Sequence, residues 1–170
     1  MNGGWGGAAA AVWACLAGAI AGAHAQGPAA PSPPAQSPTV VCRAAGTDDR
    51  LRGIPASLVP AAMRLFHLQA MPAEQVRRST YFRCFERQVL VCTTGANLPC
   101  GKANTHRHLP AAEAWCARHP GSAFIPMYVT GHDTIYAWRC DGPVAAIAKT
   151  VFEVDRRGFI RRFWKPVKAD

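Results

Sequence analysis

Acidic residues are scarce in this chain: 10 Asp and Glu stand against 19 Lys and Arg among 170 residues, a formal net charge of +9. Several common signatures are missing altogether. There is no G-x-x-x-x-G-K-[ST] and no G-x-G-x-x-G, which removes the usual phosphate-cradling loops. H-E-x-x-H and G-x-S-x-G are absent, so neither a zincin nor a nucleophile-elbow hydrolase is indicated. No C-x-x-C occurs, which argues against thioredoxin-like redox chemistry and zinc knuckles. Beyond the N-terminus no apolar run approaches the ~20 residues of a membrane span, so a polytopic membrane protein is excluded. A wholly disordered chain is excluded too, because 49% of the residues are hydrophobic.

Charge is missing in one place above all. Residues 1–25 contain no Lys, Arg, Asp or Glu, and residues 8–23 are continuously small or apolar. The run ends at Ala23-His24-Ala25, the small-x-small pattern that a signal peptidase accepts, so residues 1–25 read as a signal peptide. The n-region departs from the pattern in carrying only the terminal amine, and an uncleaved anchor is the opposing reading. Cys15 lies inside this segment behind Val12-Trp13-Ala14, a poor lipoprotein context, and is expected to leave with the leader. Residues 26–39 hold five prolines and no charge. Proline fixes φ and lacks an N–H, so this stretch reads as an extended, disordered linker, with one folded domain over residues 40–170.

Export gives the cysteines a meaning. Without Cys15, six remain: Cys42, Cys84, Cys92, Cys100, Cys116 and Cys140. An even number in an oxidising compartment reads as three disulfides, with fifteen possible connectivities. Cys92 and Cys100 bracket a turn-prone segment and could close a short loop, yet either could also reach Cys84 or Cys116.

Hydrophobic patterning predicts an α+β domain: a small antiparallel sheet with two or three short helices. Residues 54–71 read as helical, with Pro60 near a start, Leu65 and Leu68 three apart, and Pro72 opening a further turn with Glu74 behind it. Residues 80–84 and 88–92 read as a hairpin around the three-residue loop Phe85-Glu86-Arg87. Pro110, Glu113 and Arg118 mark a helix over residues 110–119. Residues 134–140 form a strand before the turn pair Asp141-Gly142, and an apolar strand follows. Asp155 to Gly158 suits a type I turn that returns residues 159–164 against residues 149–154.

Three segments carry candidate chemistry. The loop over residues 95–108 combines Asn97, Lys102, Asn104, His106 and His108 with two glycines, a composition suited to an anion or polar ligand. The opposing reading is a polar loop pinned by Cys100. His106-x-His108 could supply two imidazoles to a metal, with His132 and Asp133 as further donors or as a base and its orienting carboxylate. Neighbouring residues seldom pair in that way, however, and no nucleophile stands out. The C-terminus carries Arg156, Arg157, Arg161, Arg162, Lys165 and Lys168 with no acid between the first and last, interleaved with Phe159, Phe163 and Trp164. Arg161, Arg162 and Trp164 are the candidate ligand residues there, because cations beside aromatics suit polyanions such as anionic lipid headgroups. The opposing reading buries the aromatics and leaves the arginines solvated.

Tyr81-x-x-Cys84 and the later Cys140 strand, in a small basic exported domain, resemble periplasmic inhibitor modules such as the lysozyme inhibitors. The resemblance covers a small part of the chain, lacks those families' inhibitory loop and assigns no family. The leading expectation is a non-enzymatic periplasmic or secreted module that binds an anionic envelope component or a protein partner. Nucleic acid is the least expected partner, and no cofactor or metal is called for. The alternatives are a metal-dependent or hydrolytic enzyme built on His106, His108, His132 and Asp133, and a structural envelope protein retained through its proline-rich leader.

Overall fold

The computed structural model describes residues 36–95 and 97–168. The expected signal peptide, Cys15 and most of the expected linker lie outside the described residues. The chain is organised around the α1 helix at Pro38–Ala45 and two antiparallel sheets. Ser37 accepts the Val40 N–H through its side chain and Pro38 occupies the first turn, a helix start that takes the last two residues expected as linker.

Strand β1 (Asp48–Gly53) follows, then a 3₁₀ turn at Ala56–Leu58 and helices α2 (Val59–Phe66) and α3 (Ala73–Ser79). The long helical expectation over residues 54–71 is thus shorter than read, because His67 adopts the left-handed conformation at φ 56° and ends α2. Strands β2 (Thr80–Phe85) and β3 (Gln88–Thr93) form the predicted hairpin, but its loop is two residues rather than three. Phe85 pairs with Gln88, leaving Glu86 and Arg87 at φ 52° and 65°. Such a turn matches the right-handed twist of the strands. The turn is held from outside: the Glu86 N–H donates to Thr47 Oγ1 at 3.0 Å and the Arg87 N–H to the Gly46 carbonyl at 2.7 Å.

Helices α4 (Pro110–Arg118) and α5 (Met127–Thr130) precede the hairpin of β4 (Tyr136–Asp141) and β5 (Val144–Thr150). The chain closes with a 3₁₀ turn at Arg161–Phe163 and the two-residue strand β6 (Lys165–Pro166). β6 joins the first sheet, whose order is β1-β2-β3-β6, while β4 and β5 form the second. The disulfide-stabilised α+β class is therefore correct. No helix among the described residues is long and apolar enough to cross a membrane.

Both faces of the central strands are covered. Successive side chains on a strand point to opposite faces. Phe82, Cys84, Val89 and Val91 accordingly enter one hydrophobic cluster with Val59, Ala62 and Val76 of the helices. Tyr81, Leu90 and Cys92 turn to the other, with Trp138, Phe159 and Trp164. The six cysteines pair as Cys42–Cys84, Cys92–Cys100 and Cys116–Cys140. The first bond ties α1 to β2, the third ties α4 to β4, and all six sulfurs sit inside a cluster. Three disulfides fit an oxidising compartment.

The expected strand over residues 159–164 shrinks to two isolated bridges, Phe159 with Lys102 and Ile160 with Val154, before the chain turns into the 3₁₀ segment. The reason is local. Arg161 and Arg162 are adjacent, and so are Phe163 and Trp164. A strand with one covered face buries one member of each pair and exposes the other. The 3₁₀ turn leaves both arginines exposed and both aromatics buried.

Candidate ligand pocket beside the C-terminal 3₁₀ turn

The polar side chains of the loop over residues 95–108 are drawn to separate partners. Asn97 is exposed at the tip of a small turn closed by Gly95 and Leu98, and Ala96 lies outside the described residues. Lys102 is already engaged: its Nζ lies 2.9 Å from Asp49 Oδ2. Arg157 donates to the same carboxylate from Nε and Nη2 at 3.0 and 2.9 Å. Hydrogen bonding from Arg157, with Lys102 beside it, holds the Asp49 carboxyl down at about 2. The Lys102 charge thus ties the loop to β1. Asn104 Oδ1 accepts the His106 N–H at 3.0 Å, which shapes the loop from within.

The backbone does bring this loop beside the second candidate segment. The Asn104 N–H donates to the Asp133 carbonyl and the Ile135 N–H to the Asn104 carbonyl, forming a bridge between Asn104 and Thr134. The side chains do not follow. His106 is exposed, and His108 Nδ1 lies 3.5 Å from Glu113 Oε1. Half-buried His132 has an Nδ1 with no partner among the described residues, and Asp133 leans over Gly131. No group of three His, Cys, Asp or Glu side chains suited to a metal forms among the described residues.

The C-terminal arginines behave differently. A 3₁₀ helix has three residues per turn, so residues three apart share a face. Arg161 and Trp164 consequently line one cleft, while Arg162 and Phe163 line another. Trp164 is 5% exposed, so its ring belongs to the core and meets a ligand only through the wall of its cleft.

The pocket on the Arg162 side has a volume of about 640 Å³, within the range of small-molecule sites. Its apolar wall comes from distant parts of the chain. Phe66, Leu68 and Met71 belong to the end of α2 and the turn toward α3, Leu98 reaches in from the loop after β3, and Phe163 closes the base. Leu98 is 45% exposed, a large apolar side chain left facing this cavity. Arg162 and Lys165 also line it, and neither makes an ion pair among the described residues. Among the described residues no acid lines the pocket. Its hydroxyls are partly used within the fold: Thr94 Oγ1 donates to the Ser79 carbonyl, and Thr93 and Thr80 share a hydrogen bond of 2.9 Å. The lining is therefore mainly apolar, with two cations that make no ion pair among the described residues, Arg162 lying over the Phe152 and Phe163 rings.

Of the sequence candidates, only Arg162 falls in this pocket. Leu68 and Met71 read as helix and Leu98 as loop, and nothing in their local pattern distinguishes a pocket wall from a buried helix face. The signal that existed was Leu98 itself, a large apolar residue in an otherwise polar loop. No known protein family, curated protein or solved structure matches the chain.

Proposed function

We propose that this protein is an exported, non-enzymatic binding module for an anionic amphiphile of the cell envelope: a single acyl chain carrying a carboxylate or phosphate head. The observation that carries the reading is the mainly apolar pocket of about 640 Å³ whose lining includes Arg162 and Lys165, neither ion-paired among the described residues. Burying an acyl chain there removes apolar wall from water, and the head meets two cations that make no ion pair among the described residues, Arg162 resting over the Phe152 and Phe163 rings at 5.5 and 5.9 Å. The excess of basic residues favours encounter with anionic surfaces. The three disulfides and the uncharged leader support a periplasmic or secreted setting.

Calorimetric titration of the oxidised protein with dodecanoate and with dodecanol tests it. Dodecanoate binds, and dodecanol binds more weakly. Each methylene removed from the fatty acid weakens Kd about fourfold, following about 0.8 kcal/mol per buried CH₂. The R162A/K165A variant keeps chain-length dependence but loses three- to tenfold for the carboxylate, as charges within reach of solvent, exposed Arg162 and half-buried Lys165, contribute about 0–1 kcal/mol each. Chain-length independence, or equal affinity of acid and alcohol, sinks the proposal.

A further inference from the structure

A second cleft lies on the Arg161 side of the 3₁₀ turn. Its volume is about 400 Å³, and it does not involve the acyl pocket's apolar wall. Its lining includes Arg83, a β2 residue with no exposed surface. The Arg83 guanidinium carries five N–H donors. Its Nη2 donates to Asp155 Oδ2, while Nε and Nη1 have no partner among the described residues. Asp155 has little left to give them. Its other oxygen accepts the Arg157 and Phe159 N–H groups at 2.8 and 3.1 Å.

The faces of the same guanidinium are covered by aromatic rings. Its carbon stands 4.2 Å from the Phe159 centroid, 4.8 Å from Trp164 and 5.2 Å from Phe85. Stacking accommodates the plane of the cation but leaves its edge donors unsatisfied. Trp164 Nε1, in the wall of the same cleft, is also buried without a partner among the described residues. Arg161 and Arg156 line the cleft as well. Arg156 is paired with Glu86 at 3.0 Å, whereas Arg161 makes no ion pair among the described residues.

We infer that this cleft is a binding site for a small organic carboxylate. The acceptor oxygens of such a group answer the donors of Trp164 and Arg83, and Arg161 closes over its charge. The apolar body rests on Phe85, Leu90 and Pro166, which also line the cleft. Those walls favour an organic acid over an inorganic anion, whose hydrated surface gains nothing from apolar contact. The site stands on residues separate from Phe66, Leu68, Met71 and Leu98, so it holds or fails independently of acyl binding.

The test is a titration of the oxidised protein with sodium benzoate, followed by the Trp164 indole N–H resonance, which a Trp164→Phe variant assigns. Benzamide has the same shape without the charge, and inorganic phosphate has charge without an apolar body. Benzoate is expected to move the Trp164 resonance with saturation in the millimolar range or below, and benzamide to leave it in place. Arg161→Ala is expected to weaken benzoate about fivefold, an exposed charge contributing modestly. Arg83→Lys, which keeps charge but loses the planar fork, is expected to abolish the response; where it fails to fold, Arg161→Ala decides. A response to phosphate equal to that to benzoate overturns the assignment of an organic acid. No movement of Trp164 at saturating benzoate, or movement confined to the Met71 and Leu98 methyls of the other pocket, overturns the site.

Discussion

At the scale of single residues, the Arg83–Asp155 pair sets the energetics of the interior. Both side chains are at most 8% exposed, whereas the Arg77–Glu74 pair is about half exposed on both sides. Burial itself pushes the Arg83 guanidinium's pKa below its ordinary value, and Asp155 opposes the shift. Surface pairs contribute about 0–1 kcal/mol, while removing one member of a buried pair costs about 3–5 kcal/mol, because the other charge stays in place without compensation. Asp155→Ala is therefore expected to cost about 3–5 kcal/mol, and Glu74→Ala far less, by urea denaturation. Equal losses from the two variants defeat the account. None of this was legible beforehand. Asp155 was correctly read as a turn former, and the Gly158 N–H does donate to its carbonyl at 2.9 Å. Its second oxygen, however, serves a residue 72 positions away, and no local pattern announces such a partner.

Elements were readable wherever their ends carry their own chemistry. Helix α4 shows its limits through Pro110 at the start, Glu113 in the first turn and Arg118 in the last, and the expected boundary differs from the observed one by a single residue. The β2–β3 hairpin was readable from its strands but not from its turn. Glu86 and Arg87 lack the Asn-Gly chemistry that normally marks a two-residue connection. Thr47 and Gly46, some forty residues earlier, supply the acceptors that hold them left-handed. The C-terminal segment misled for a related reason: its arginine and aromatic pairs do not alternate, and burial of both aromatics selects the 3₁₀ turn. That choice also splits Arg161 from Arg162, so one basic cluster became two pocket edges. The turn gives an element-scale prediction. A side chain at φ 65° costs about 1–2 kcal/mol that glycine avoids, offset partly by the greater freedom of glycine in the unfolded chain. Arg87→Gly is expected to raise stability by about 0.5–1 kcal/mol, seen as a higher Tm. A lower Tm means that the Arg87 side chain contributes more than its backbone costs.

At the scale of the whole molecule, stability and the proposed acyl binding are expected to depend on different disulfides. Cys42–Cys84 spans 42 positions, Cys116–Cys140 spans 24 and Cys92–Cys100 only 8. In the chain-entropy view a bond restricts the unfolded state more as its loop lengthens. The six cysteines are all at most 4% exposed, so replacing either the first or the second pair by alanine leaves comparable packing defects. The difference between those two variants then reports the loop. C42A/C84A is expected to lose about 1.5 kcal/mol more than C92A/C100A, measured by urea denaturation. Ligand binding should rank the other way. Cys42–Cys84 lies in the helix-side cluster and lines neither cleft, whereas Cys92–Cys100 anchors the loop from which Leu98 lines the proposed acyl pocket. C92A/C100A is therefore expected to weaken dodecanoate binding while remaining folded, and C42A/C84A to destabilise the domain while its folded fraction binds normally. If the long-loop variant loses binding in proportion to its folded signal and the short-loop variant binds unchanged, Leu98 is not part of the acyl wall. If both orders hold, the smallest of the three disulfide loops serves ligand capture more than stability.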